Sequence, residues 1–333
     1  MENLILEPVN NQRILSPSII TSPSEETSSD NSFIKANTVE CSLQEIKDQH
    51  LIPVFVKDNE RAISIAEFIE AAQETVLNVF NEQTIYRPSI RLSHPIKNRV
   101  PEAKDKPANQ LEEWEKTLYY ERAAFVIEIP GIQSVVDGNT LTLSVGGVKS
   151  YSMDNLNGKK GVDEHFKIFI GFQNKVCCNM CVWTDGYMNN ISVKNVGQLK
   201  VLMHTLFQSY NSNHHLYHLQ KLSEFKLTDH QFALLMGRCR LYQHLPPSIK
   251  NTIPPLLFGE TQLSAIAKDY YRDESFCRNA EGDINLWKLY NLFTGSNKSS
   301  YIENFLERGV NAYHFSEQLR RALENKADSW FLN

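Results

Sequence analysis

The chain has 333 residues, 41% of them hydrophobic and 22% charged, with a formal net charge of −5 at pH 7. This is ordinary globular composition, and a body of about 280 residues buries roughly three quarters of its unfolded surface without a disulfide or metal staple. The negative balance argues against a protein that coats nucleic acid through global charge, while leaving room for a local basic groove.

Six cysteines (Cys41, Cys177, Cys178, Cys181, Cys239 and Cys277) read as reduced thiols. Glu2 and Glu7 stand near the start with no long apolar run after them, so no signal peptide is expected. No segment approaches the ~20 apolar residues of a membrane span. The cytoplasm is the expected compartment, with no membrane partner.

Residues 16–32, SPSIITSPSEETSSDNS, carry too few large side chains to offset their ordering entropy. Residues 1–50 are therefore expected as a disordered tail, and the folded body as one domain from Leu51 to residue 333. The short groups Leu4-Ile5-Leu6 and Ile14-Leu15 could dock on that body or on a protein partner. The body opens with an expected strand at Leu51–Val56. Ser64 and Glu67 have capping-box spacing, and Ile65, Phe68, Ile69, Ala72, Val76 and Phe80 follow at helical period, which predicts a helix over 65–80. The proline-rich stretch Arg87–Lys106 is expected as a loop and Leu111–Tyr120 as a helix.

The middle of the chain reads as β. Ala124–Ile129 is a strand candidate, Asp137-Gly138-Asn139 a turn, and Leu141, Leu143 and Val145 alternate with polar residues. Gly146-Gly147 is expected to bend or bulge that strand. Phe166–Phe172 and Lys175–Thr184 are expected as two further strands. From Val196 onward the period is helical, with a capping box at Thr228 and Gln231 and further helices over 260–271, 284–293 and 299–323. The expected class is α+β. A central antiparallel β-meander is flanked by N-terminal helices within residues 51–195, and a helical half follows over 196–333.

Several constellations could carry chemistry. Cys178 and Cys181 have CxxC spacing, and His214 and His218 would share one helix face some thirty residues on. A zinc site needs both pairs to meet, and buried thiols explain the cysteines more simply, so no metal and no cofactor is expected. Asp163, Glu164 and His165 at a strand mouth, with Asp269, Asp273 and Glu274 as distal partners, would suit a metal-dependent phosphodiester enzyme. A solvated loop and a charged helix end account for both groups. No nucleophile elbow, kinase signature, HExxH or dinucleotide fingerprint is present, and GKKG at 158–161 lacks P-loop spacing. Arg87, Arg91, Lys97 and Arg99 in the basic loop, with Lys159, Lys160 and Lys167 near the sheet, fit the recipe for single-stranded nucleic acid.

The segments HPIKNRVPEAKDKPANQLEEWEKTLYYERAAFVIEIP, EHFKIFIGFQNKVCCNMCVWTDG, FCRNAEGDINLWKLYNLFTGSNKSSYIENFLERGVNA and SWFLN resemble a Bacteroidetes family catalogued as domain of unknown function 3871, over residues 51–333. The chain is also faintly similar to the phage/plasmid-like protein family. Val176, Cys177 or Cys178 and Asn179 correspond there to one run, and Trp287, Asn291 and Thr294 to another. These resemblances imply a mobile-element setting and bring no established activity. Trp287 and Asn291 share a helix face, with Thr294 and Lys298 beside them, and Asn297–Ser300 is expected to cap the next helix at an anion-friendly position. The leading expectation is a protein that handles single- or double-stranded DNA. An accessory or inhibitor module with the tail as its docking arm is the alternative, and an enzyme comes last.

Overall fold

The computed structural model describes residues 18–20, 32–49, 63–154 and 163–333. The expected strand at Leu51–Val56, Lys159 and Lys160, and the apolar groups at 4–6 and 14–15 lie outside the described residues.

Seven strands form one antiparallel sheet: β1 (Thr38–Glu40), β2 (Ser89–Ser93), β3 (Arg122–Val136), β4 (Asn139–Ser150), β5 (Glu164–Asn174), β6 (Met180–Cys181) and β7 (Tyr187–Val193). Their order is β6-β5-β4-β3-β2-β1, and β7 pairs with the first half of β5 on the edge that β6 continues. Helices α1 (Leu43–Gln49) and α2 (Ile65–Val79) precede the long β3–β4 hairpin. The helical half holds α3 (Val196–Ser209), α4 (Ser212–Ser223), α5 (Asp229–Tyr242), α6 (Pro247–Lys250), α7 (Glu260–Arg272), α8 (Leu286–Asn297) and α9 (Ile302–Asn325). The fold is α+β with a central antiparallel meander and a helical C-terminal half. Among the described residues no helix is long and apolar enough to cross a membrane.

Local chemistry explains the elements that sequence reading found. Both capping boxes form, at Ser64/Glu67 before α2 and at Thr228/Gln231 before α5. Asp137 and Gly138 take φ of 48° and 76°, the paired left-handed conformation of a two-residue hairpin turn. Strand runs such as FVIEI and FKIFIGF are nearly all apolar because the sheet is covered on both faces. Phe125, Ile127, Val145, Phe166 and Ile168 belong to the main core, on the face where α2 and α3 pack. Ala124, Val126, Val148 and Phe169 belong to a second core with Phe33, Ile34 and, from α9, Ile302, Phe305 and Leu306.

Five expectations are corrected. The described part of residues 1–50 is built into the fold rather than trailing from it. Phe33 and Ile34 are buried, Thr38–Glu40 pairs with β2, and the amides of Lys35 and Ala36 donate to the Lys298 carbonyl. Average composition conceals a few well-placed apolar residues. Leu111–Tyr120 ends as a strand, Lys116–Tyr119, which pairs with Ile96–Arg99, so the stretch read as a loop supplies two strands. Cross-strand pairing of β-formers such as Thr117 and Tyr119 prevails over helical spacing there. Lys175–Thr184 is a turn followed by the short β6, with Cys178 at φ 54°. Asn174 diverts the chain there by accepting from the Val176 amide through its side chain and from the Cys178 amide through its carbonyl. The N-cap of α9 is Tyr301, which makes no side-chain cap bond, so Asn297–Ser300 does not cap the helix: Ser300 Oγ donates to Asn297 Oδ1 instead.

Gly146-Gly147 neither bends nor bulges its strand: pairing on both sides runs through without a shift, and the irregularity in β3 lies between Ile129 and Gln133. The glycines serve close packing. A Cβ on Gly147 would stand 2.5 Å from Phe68 Cζ and 2.7 Å from the Lys167 carbonyl oxygen. Phe68 in turn meets Phe125 and Phe166 edge-on, at centroid distances of 5.0 and 4.8 Å. Gly147→Val is expected to destabilise the protein by about 1–3 kcal/mol or more through overpacking. Urea unfolding should show a lower midpoint, whereas Gly138→Asn at the exposed turn should shift it far less.

Candidate functional site

Of the described basic residues picked out by sequence, Lys167, Arg91 and Arg99 are held by partners within the fold. Lys167 is buried, and its ammonium donates to the Glu303 carbonyl at 2.6 Å and pairs with Glu307. Arg91 is bound by Thr38 Oγ1 at 3.1 Å, with Glu40 at 3.4 Å. Arg99 donates to the Lys106 carbonyl, and Lys106 pairs with Glu115. Across Ile96–Tyr119, five Lys and Arg face five Asp and Glu, so this two-stranded arm is neutral overall. Among the described members of the set, Arg87 and Lys97 are the ones that stay exposed.

Of the carboxylates weighed for a metal-dependent enzyme, Glu164, Asp163 and Asp273 hold other partners. Glu164 accepts from Lys149 Nζ at 3.0 Å and from the Ile63 amide at 2.8 Å, while Asp163 accepts from Ser192 Oγ at 2.9 Å. His165 lies beside Asp154, whose Oδ1 accepts from the His165 amide at 2.6 Å. Asp273 accepts from the Ser275 and Phe276 amides at 2.9 and 2.7 Å. Among the described residues no group of three or more His, Cys, Asp and Glu is placed to hold a metal ion.

Trp287, Asn291, Thr294 and Lys298 do come together, as a buried joint between α8 and the β5–β6 turn. Trp287 Nε1 donates to Asn139 Oδ1 at 2.8 Å, and Asn291 Nδ2 donates to the Trp287 carbonyl at 2.9 Å. Asn174 Nδ2 donates to Asn291 Oδ1 at 3.2 Å, and Asn179 Nδ2 donates to the Asn291 carbonyl at 2.9 Å. Thr294 Oγ1 bonds back to Tyr290 and Asn291 carbonyls, and Lys298 Nζ donates to the Cys177 carbonyl. Burial holds Lys298 below the ordinary lysine range and pushes the Cys177 thiol up to about 11. A thiol so protonated at neutral pH is a poor nucleophile. The joint couples helix to turn through hydrogen-bonded polar groups, with Asn179 Oδ1 buried without a partner, and its bonds do structural work.

The surface feature suited to a ligand lies at the opposite, N-terminal side. A groove of about 720 Å³ runs between α1 and the segment Arg87–Ile90, within the size range of ligand sites. Leu43, Pro88 and Ile90 give it apolar walls, and Glu40, Glu45, Lys47 and Arg87 bring charges of both signs. Ser42 caps α1 reciprocally with Glu45, since the Ser42 amide donates to Glu45 Oε2 at 2.7 Å and the Glu45 amide to Ser42 Oγ at 3.2 Å. Burial and the adjacent Glu45 carboxylate push the Cys41 thiol on the wall up to about 11. Ile19, from the N-terminal segment, closes one end.

That segment is held as an added strand. Ile19–Ile20 runs parallel to Ile85–Tyr86. The Ile85 amide donates to the Ser18 carbonyl at 2.8 Å, and the Arg87 amide donates to the Ile20 carbonyl at 2.7 Å. Arg87, which sequence reading put forward as a nucleic-acid contact, lines this groove, and it is its backbone amide that holds the segment. The Ile19 and Ile20 side chains remain 43% and 44% exposed. Sequence reading missed the groove, although the S-x-x-E pattern at Ser42–Glu45 announces its helix.

No curated protein and no solved structure matches the chain. A family model described as "Domain of unknown function, B. Theta Gene description (DUF3871)" matches residues 14–332, so the similarity takes in the N-terminal strand segment as well as the sheet and helices. The chain belongs to this family of unknown function, DUF3871.

Proposed function

We propose that this protein is a peptide-binding module in which the edge Ile85–Arg87 and the adjoining groove take an extended segment of a partner protein. The observation that carries the reading is the strand Ile19–Ile20, an extended segment already held on that edge by main-chain hydrogen bonds from Ser18 to Ile20. Strand addition of this kind draws affinity from the backbone and specificity from side-chain pockets.

The internal segment is a weak occupant. Two main-chain bonds contribute about 1 kcal/mol each, while ordering three residues costs about 1–2 kcal/mol apiece. Its isoleucines stay 43% and 44% exposed, so their partial burial brings the balance only to about neutral. A partner strand that also fills the groove over Leu43 and Ile90 would displace it.

The reading is tested with a chain in which residues 14–24 are replaced by Gly-Ser repeats. A labelled peptide of residues 12–24 should bind this chain at least about tenfold more tightly than the unaltered one, whose own segment competes. Arg87→Pro removes the donor that meets Ile20 and should abolish the binding. A decapeptide library panned against the Gly-Ser chain should enrich extended, β-branched sequences with the same dependence on Arg87. Equal peptide binding by all three chains would overturn the reading.

A second reading, DNA binding in a mobile-element setting, is favoured by the exposure of Arg87 and Lys97. It predicts single-strand affinity that falls steeply with salt and weakens on charge reversal at both residues. No oligonucleotide binding at low salt would remove it.

A further inference from the structure

Helix α4 carries a pair of imidazoles that neither the groove nor the core explains. Asn211 caps the helix, its Oδ1 accepting from the His214 amide at 3.0 Å, and four residues on His218 stands over His214. Their Nε2 atoms face each other at 2.9 Å. His214 is exposed and His218 half-buried, so the shared edge is open to solvent. His218 Nδ1 is buried without a partner, which leaves Nε2 as the nitrogen an ion could reach. Trp183 packs against both rings, at centroid distances of 4.9 Å to His214 and 5.3 Å to His218.

The separation discriminates between geometries. Two nitrogens at about 2.05 Å from one metal stand about 2.9 Å apart at a right angle and about 3.3 Å apart at a tetrahedral angle. The observed 2.9 Å fits the right angle of tetragonal coordination, which suits copper(II) and nickel(II) better than zinc. The nearest buried carboxylate on α9, Glu317, is already clamped by Arg320 at 2.7 and 2.8 Å and by Arg321 at 2.9 Å, so it is not available as a third ligand. With no three-residue metal group among the described residues, two imidazoles are the protein's whole contribution here and solvent completes the shell.

We propose that His214 and His218 form a two-imidazole site that binds one divalent transition-metal ion through both Nε2 atoms, copper(II) more tightly than nickel(II) and nickel(II) more tightly than zinc. The ion replaces the hydrogen bond between the rings; the proton on the donating Nε2 leaves or moves to that ring's Nδ1. Metal binding at this place stiffens α4 and stabilises the folded chain by mass action.

The test uses the untagged full chain and copper(II) chloride, followed by calorimetry and by fluorescence. One ion per chain is expected at the tightest site, with quenching of Trp183 emission and a paramagnetic resonance spectrum showing nitrogen coordination. His214→Ala, at an exposed position that keeps the fold by circular dichroism, should weaken this site roughly 100-fold by removing one arm of the chelate. Trp183→Phe should abolish the quenching and keep the calorimetric site. His204→Ala, on α3, should change neither. Copper binding of equal affinity and spectrum in the unaltered chain and in His214→Ala would overturn the proposal, as would a zinc affinity above that for copper.

Discussion

Replacing Lys149 by Met is expected to destabilise the protein by about 3–5 kcal/mol, the cost of leaving buried carboxylates without their counter-ion. The Lys149 side chain is fully buried, and Asp154 and Glu164 beside it are 2% and 3% exposed. Lys149 Nζ lies 2.6 Å from Asp154 Oδ2 and 3.0 Å from Glu164 Oε2. It also sits over the Phe166 ring, 4.1 Å from the centroid. The second oxygen of each carboxylate accepts a backbone amide, from His165 and from Ile63. Two carboxylates thus surround one ammonium at the end of β4, where the chain leaves the sheet, and at the start of β5, where it returns. Methionine would fill most of the space but leave two anions facing each other in a low-dielectric site.

The control separates charge from packing. Lys149→Met combined with Asp154→Asn and Glu164→Gln removes every charge while keeping the two amide-accepting oxygens. Its loss should be clearly smaller than that of the single variant, because a buried ion set replaced as a whole is often near neutral. Urea unfolding of both proteins decides the matter. A loss under about 1 kcal/mol for Lys149→Met alone would show that water reaches the cluster and that the ions are not sealed in.

What sequence reading caught and missed follows from the range over which each signal acts. Caps and turns are local, so Ser64/Glu67, Thr228/Gln231 and Asp137-Gly138 were legible residue by residue. The alternation in β4 was legible because one residue sets the face of the next. The strand Lys116–Tyr119 was not, since its identity depends on a partner, Ile96–Arg99, some twenty residues earlier. The lysines misled for a similar reason. Lys167 looks like part of a basic surface in sequence, but Glu307 meets it across the fold. The groove is the extreme case: it is formed where Ile19, Glu40–Lys47 and Arg87–Ile90 meet, and no single window contains it. The His214–His218 pair was legible as a shared helix face, and only the structure shows that the two Nε2 atoms converge.

Acid should destabilise the protein through His215. This imidazole is fully buried against Phe172, Trp183, Tyr210 and Tyr313, with ring centroids 5.5–6.0 Å away. Its Nδ1 lies 2.6 Å from the Tyr210 hydroxyl. Burial, reinforced by His218 and His214 on the same helix, lowers its pKa from 6.5 to about 3. The folded state therefore holds the ring neutral over a range in which the unfolded chain takes up a proton. Stability is fully present above pH 6.5 and drains as pH falls from 6.5 toward 3, at about 1.4 kcal/mol per unit for one such proton. By pH 4 the loss from this ring alone reaches roughly 3 kcal/mol. Burial also lowers His218 and His314, which act in the same direction. His215→Gln isolates the contribution of this ring, because glutamine keeps a polar partner for Tyr210 and does not titrate. The variant should be less stable at pH 7.5, but its unfolding free energy should fall between pH 6.5 and 4 with a slope smaller by about one proton. Parallel curves for the two proteins would mean that the ring is already protonated in the folded state, and the burial argument would fail.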